Sequence, residues 1–174
     1  MRIAYQVLAL LVALGVVVQA AALAWGDAGL FIWIMNGGVL DAAAIEGEAA
    51  PFAEVTGFMV HGMNGMMVIP AVTLILLIVS FFAKVPRGIM LAGGLTVAVA
   101  LQVTLGLLGH GIAIAGLLHG ANALLVFGLA LAAAGAARRA SAIAASTSAM
   151  SAPPREPSPG LSGQQPPASR ADVG

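Results

Sequence analysis

Apolar and polar positions fall into long blocks along this chain. A bilayer core takes about 20 apolar residues of helix to cross. Four blocks are that long, at about 3–25, 55–83, 88–108 and 112–137. An acidic segment, 26–54, separates the first two. Lys84-Val85-Pro86-Arg87 separates the second and third, with proline as the helix breaker between two cations. Only Gly109-His110-Gly111 separates the third and fourth, a link short enough to force an antiparallel hairpin. The pattern predicts an all-α membrane protein: a four-transmembrane-helix up-down bundle over 1–139, with an outer loop and a tail over 140–174.

Two shorter stretches refine this. Leu30-Phe31-Ile32-Trp33-Ile34-Met35 is apolar but too short to span. It is expected at the interface or capping the bundle, with Trp25 and Trp33 at headgroup depth. From about Ser141 onward the chain is Ala, Ser, Pro, Gly and Gln. Such a segment buries too little to fold and reads as a disordered cytoplasmic tail. A cleavable signal peptide is the competing reading of the first block, but its 23-residue apolar run is longer than a usual signal core.

Composition agrees. The chain of 174 residues is 60% hydrophobic and 8% charged, with a mean hydropathy of +1.02. A soluble domain carries about 25% charged residues. Net charge is zero, which gives no nucleic-acid footprint. There is no cysteine, hence no disulfide, Cys-ligated cluster or c-type haem attachment. Arg2, Lys84, Arg87, Arg138 and Arg139 share one side if the helices alternate, while 26–54 holds five acidic residues and no Lys or Arg. The positive-inside rule then places both termini in the cytoplasm. One Lys against six Arg, with abundant Ala, Gly and Val, points to a GC-rich bacterial source, and so to a bacterial plasma membrane.

The polar residues inside the blocks repeat. His61-Gly62-Met63-Asn64 lies in the second block and His119-Gly120-Ala121-Asn122 in the fourth. Gln19 precedes Gly26 by seven residues, and Gln102 precedes Gly109 by the same interval. This is the expectation of a two-hairpin internal repeat about an axis along the membrane normal. Ionisable side chains in membrane helices are costly and tend to be kept for a task. His61 stands 23 residues before Lys84 and His119 stands 19 before Arg138. At 1.5 Å per residue, their depths differ by only about 6 Å.

Small residues one turn away, Gly57 and Gly65 around His61, Ala115 and Ala123 around His119, would clear a strip for a flat macrocycle. The second and fourth helices are diagonal in an up-down bundle, so two neutral imidazoles can hold one haem iron between them. Asn64 and Asn122 would orient an imidazole or meet a propionate. Gln19 and Gln102 would bond ligand or backbone.

Two other readings stand beside this one. Small residues, His and Asn also serve as ordinary helix-packing groups in membranes, which would make the chain a non-catalytic membrane subunit. Met59, Met63, Met66 and Met67 lie close to His61, and thioether with imidazole suits Cu(I). His110, in the outer turn, reads as a solvated interfacial residue. Glu54, seven residues from His61, is placed to shuttle a proton or meet a ligand at the outer face. No phosphate loop, His-Glu-x-x-His or activated serine is present, and no Asp, Glu, Lys or Arg lies deep in a span to relay ions.

The pattern resembles one half of the haem A synthase family, on the strength of His61 and His119 in the second and fourth helices after a long first loop. It departs from that family at Phe58, where a Glu is usual, and at Gly62, where a basic residue is usual, and it has no second bundle. The departures bear on haem hydroxylation, so the part of the resemblance that carries over is haem binding by His61 and His119. The chain also looks like small four-helix actinobacterial membrane proteins with a His-(small or Pro)-x-Asn phrase in the last helix, which implies no function. The leading expectation is a b-type haem protein in electron transfer or haem handling, with a membrane redox or subunit partner; whether it is an enzyme stays open.

Overall fold

Helix formation overruns the apolar blocks at both ends of the chain. A computed structural model describes residues 1–41, 44 and 51–151, and among these no strand occurs. Four helices are long and apolar enough to cross a membrane.

The first, α1, spans Arg2–Met35. It absorbs Leu30–Met35, which the sequence assigns to a separate interfacial piece. The reason is packing: Gly26 and Gly29 are buried, with Phe58 lying on one and Glu54 on the other, so the backbone there is held by the next helix. Trp33 meets Phe52 with ring centres 5.8 Å apart. The helix stops at Asn36-Gly37, where Gly37 takes a φ of +94°, open to glycine at little cost. Glu46 and Glu48 of the acidic segment lie outside the described residues.

The second helix, α2 (Ala53–Ser80), is not uniform. A 3₁₀ turn at Ala53–Val55 leads into α-helix over Thr56–Met63, then a π turn over Asn64–Val68, then α-helix over Ile69–Ser80. In the π turn the amide of Ile69 reaches the carbonyl of Asn64, five residues back. Pro70 supplies the cause. It has no N–H to give Met66, and its ring crowds that carbonyl, so the helix widens by one residue.

Helix α3 spans Gly88–Gly109. The turn before it puts Lys84 and Arg87 in the left-handed region, at φ 50° and 58°. The Tyr5 hydroxyl, fully buried, donates to the Gly88 carbonyl at 2.9 Å and ties the start of α1 to the start of α3. Helix α4 spans Ala113–Met150, well past the expected end at 137. Residues 141–150, expected to be disordered, are helical, with the strong helix former alanine at 142, 144, 145 and 149; the Ser146, Thr147 and Ser148 hydroxyls turn back onto carbonyls four residues before them. Pro153-Pro154 follow, which a helix cannot continue through. The expected disorder of 152–174 lies outside the described residues.

Each helix packs on its neighbours in the chain, and α1 also packs on α4; α1 and α3, like α2 and α4, sit across from each other. The core is uneven. Tyr5, Val12, Leu76, Leu95 and Val126 fill it beside alanines from α1, α3 and α4. All of these lie between the histidine level and the end carrying Lys84 and Arg87, called here the basic end. Lipid offers no hydrophobic drive between helices, so close approach through alanine supplies the contact. The opposite, acidic end is less filled, and the polar residues lie where the core stops.

Candidate functional site

Both histidines are half-buried and held the same way. His61 Nδ1 lies 3.1 Å from the Gln19 carbonyl, and His119 Nδ1 lies 2.9 Å from the Gln102 carbonyl. A carbonyl only accepts, so each Nδ1 carries the proton in the neutral ring. Each Nε2 is left with a bare lone pair. This is the tautomer that a metal-ligating imidazole adopts when its other nitrogen is anchored to backbone.

The asparagines complete the arrangement. Asn64 Nδ2 donates to the Gly15 carbonyl at 2.9 Å and to Gln19 Oε1 at 3.3 Å. Asn122 Nδ2 donates to the Ala98 carbonyl at 2.9 Å and to Gln102 Oε1 at 2.7 Å. Gly15 and Ala98 each stand four residues before their Gln, so the two sets correspond atom for atom. The small residues beyond them correspond too. A Cβ on Gly57 would strike the Ala22 carbonyl, and a Cβ on Gly26 would lie 2.9 Å from Phe58; a Cβ on Gly109 would lie 3.2 Å from Gly116. Gly57, and the buried Ala115 that corresponds to it, thus serve helix crossing rather than a cleared strip for a macrocycle.

The imidazoles meet across the bundle. Their ring centres are 6.1 Å apart, with planes at 53°. Metal–imidazole bonds of about 2 Å put the centres of two rings on opposite sides of one metal about 6 Å apart. Among the described residues no group of three or more His, Cys, Asp or Glu is placed to hold a metal. Two protein ligands are too few for a tetrahedral zinc site but sufficient for haem, whose porphyrin provides four nitrogens of its own.

Two cavities flank the pair, of about 520 and 270 Å³, and both are lined by Gln19, His61, Gly65, Gln102 and His119. Both are mainly apolar with a few convergent polar groups, as small-molecule sites are. The residues particular to the wider one come mostly from α2 and α3, among them Gly62, Met66, Gly106 and Leu107. Those of the narrower one come mostly from α1 and α4, among them Ala20, Gly120 and Leu124. His61 and His119, with Nε2 free in each, are the residues that would hold a haem here, and the apolar cavities beside them would suit its macrocycle.

The remaining expected residues divide. Gly65 lines both cavities, but its open side faces the Gln19 amide, which a Cβ would strike. Ala123 lines the narrower cavity. Asn64 and Asn122 line neither; they act on the glutamines. His110 is exposed, with Nδ1 3.3 Å from the Leu107 carbonyl, yet it borders the wider cavity at its acidic end. Met59, Met63 and Met67 face outward at 61%, 62% and 65% exposure, and Met66 alone reaches the cavity, which removes the thioether cluster from His61. Glu54 packs on Gly29 and does not line the cavities. Gly106, beside the His119 ring, escapes the sequence reading; a Cβ there would lie 3.0 Å from the ring. Its signal is its place four residues after Gln102, on the same helix face.

Fold and site together define a multi-pass four-helix membrane protein with a paired-histidine cavity. No family model, curated protein or solved structure matches the chain.

Proposed function

We propose that this is a b-type haem protein of the bacterial plasma membrane, an up-down four-helix bundle made of two repeated hairpins, with haem held by His61 and His119. The observation that carries the reading is the spacing of the two anchored imidazoles, 6.1 Å between centres, with both Nδ1 atoms engaged. Haem supplies one-electron redox chemistry when bound. The chain does the rest. The Gln19 and Gln102 carbonyls fix the ring orientation, and hydrogen bonds at Nδ1 raise the basicity of Nε2. Asn64 and Asn122 hold the glutamine side chains back from the rings. Leu23, Phe58, Val103 and Leu107 keep water from the cavity walls.

The proposed orientation puts both termini in the cytoplasm and the cavity near the outer face, from the distribution of Lys and Arg. A haem there lies far from the cytoplasmic surface, so exchange of electrons or of haem takes place at the outer side or within the bilayer. The test is the visible spectrum of the purified protein. A Soret band with sharp reduced α and β bands, lost in His61→Ala and in His119→Ala and kept in His110→Ala, is the expected result. A protein that stays colourless after haem addition would overturn the reading. In that case the interhelical bonds of Asn64, Asn122 and the two histidines favour the other class, a non-catalytic subunit held together by polar packing. Labelling a Cys at Ser158 from outside sealed cells would reverse the orientation.

A further inference from the structure

The outer and inner parts of α2 have different neighbours. Its segment Ile69–Ser80 packs on both α1 and α3, whereas Thr56–Val68 packs on α1 and makes no comparable approach to α3. The change falls at the π turn that Pro70 imposes. Helix α4 shows no such break and packs on both α3 and α1. The gap left between α2 and α3 lies at the histidine level and is continuous with the wider cavity. Gly62 stands on its α2 side, exposed and with open space where a Cβ would be, and Met66 beside it is 55% exposed. Val103 and Leu107 stand on the α3 side. At this depth the surroundings are acyl chains rather than water. On the opposite side of the bundle α1 and α4 remain packed, and the cavity there is the smaller one.

We propose that this gap is a lateral portal through which haem passes between the bilayer and the two histidines, so that the protein acquires and hands on haem instead of keeping it sealed. The inference rests on the haem reading above and deepens it, since it separates haem handling from electron transfer by a closed cytochrome. Haem is a flat, largely apolar molecule that dissolves in bilayers. A route from the leaflet at the acidic end needs no unfolding of the core, which lies wholly on the basic side of the site. Gly62, with nothing within 4 Å of where a Cβ would stand, leaves the α2 side of the passage without a side chain at that point.

The experiment follows haem exchange in lipid nanodiscs. Apoprotein is mixed with vesicles carrying hemin, and growth of the Soret band gives the uptake rate; holoprotein is mixed with apomyoglobin to give the release rate. Gly62→Trp, folded with haem present, should exchange about tenfold more slowly in both directions. Gly128→Trp, at an exposed glycine on α4 with equal free space, should exchange as the unsubstituted protein does. Pro70→Ala, which restores the α-helical bond to Met66, should slow exchange by closing α2 onto α3. If Gly62→Trp refuses haem even during folding, Pro70→Ala, at a residue that lines neither cavity, is read in its place. Exchange at the original rate in both Gly62→Trp and Pro70→Ala would overturn the portal while leaving the histidine ligands in place. Failure of the unsubstituted protein to take up haem at all would overturn both proposals.

Discussion

The two hairpins hold their histidines alike but surround them differently. In each, Nδ1 is tied to the carbonyl of a glutamine on the preceding helix, and an asparagine three residues on secures that glutamine's side chain. The second hairpin is the tighter. Its corresponding bonds are 2.9 and 2.7 Å against 3.1 and 3.3 Å, Asn122 is 8% exposed while Asn64 is only half-buried, and α4 is regular where α2 carries a π turn. A ligand placed between two imidazoles needs the seats to match and places no such demand on the walls. The difference teaches that the bonds anchoring the two rings correspond while the neighbours of α2 and α4 do not. Pro70 has no counterpart in α4, where Gly128 stands at the corresponding position, and it changes the neighbours of α2 without disturbing the anchor of His61.

The largest expected effect comes from removing the symmetric part. Either His61→Ala or His119→Ala should abolish the low-spin haem spectrum while the protein still inserts and purifies. A full spectrum in the double variant would end the paired-ligand reading. Next is Gly106→Leu, which would drive a side chain into the His119 ring and should remove most of the haem, read as Soret absorbance per protein. Gly65→Leu should cost less, because the group it meets is the free end of the Gln19 side chain and can swing away. Equal losses in the two would show that the hairpins are not distinguished by the room beside the ring.

The asparagines give a smaller contrast. Bonds between membrane helices are worth about 0.6 kcal/mol on average and about 1.7 at most. Asn122→Ala breaks two short bonds and leaves Gln102 Oε1 unpaired in the interior, so a loss of about 1.5 kcal/mol is expected. Asn64→Ala should lose about half as much. Unfolding in mixed micelles would measure both, and the reverse order would contradict the ranking by bond length and burial. The smallest effect belongs to Tyr5→Phe at the basic end. It breaks the bond to Gly88 for about 0.6 kcal/mol and should leave the haem spectrum unchanged.

Much of this was legible in the residues. The repeat of His-x-x-Asn and the matching Gln19 and Gln102 picked out groups that the structure brings together, because these are polar groups standing at similar depth in apolar blocks. What each seat does with its asparagine was not legible. Spacing puts Asn64 on the face of His61, but the choice between ring, propionate and glutamine depends on how far α1 and α2 stand apart. The methionines misled for a similar reason: proximity in sequence to His61 says nothing about which of them turns outward. The π turn was present in the sequence as Pro70, six residues into an apolar run after Asn64, yet a proline in a membrane helix can be met by a kink, a water or a widened turn.

The sequence by itself determined that the chain is helical, that four segments suit a bilayer, and that two histidines, two asparagines and two glutamines stand within those segments. Those properties depend on side-chain polarity and on periodicity, which are local. Helix ends were set elsewhere. Packing of Gly26 and Gly29 on α2 carried α1 through Asp27 to Met35. Only the tertiary structure decided the 6.1 Å between the imidazoles, the tautomer each must hold and the gap beside α2. Each of these is a distance between atoms on different helices, fixed by how closely small residues let the backbones approach, and no single segment of the chain encodes it.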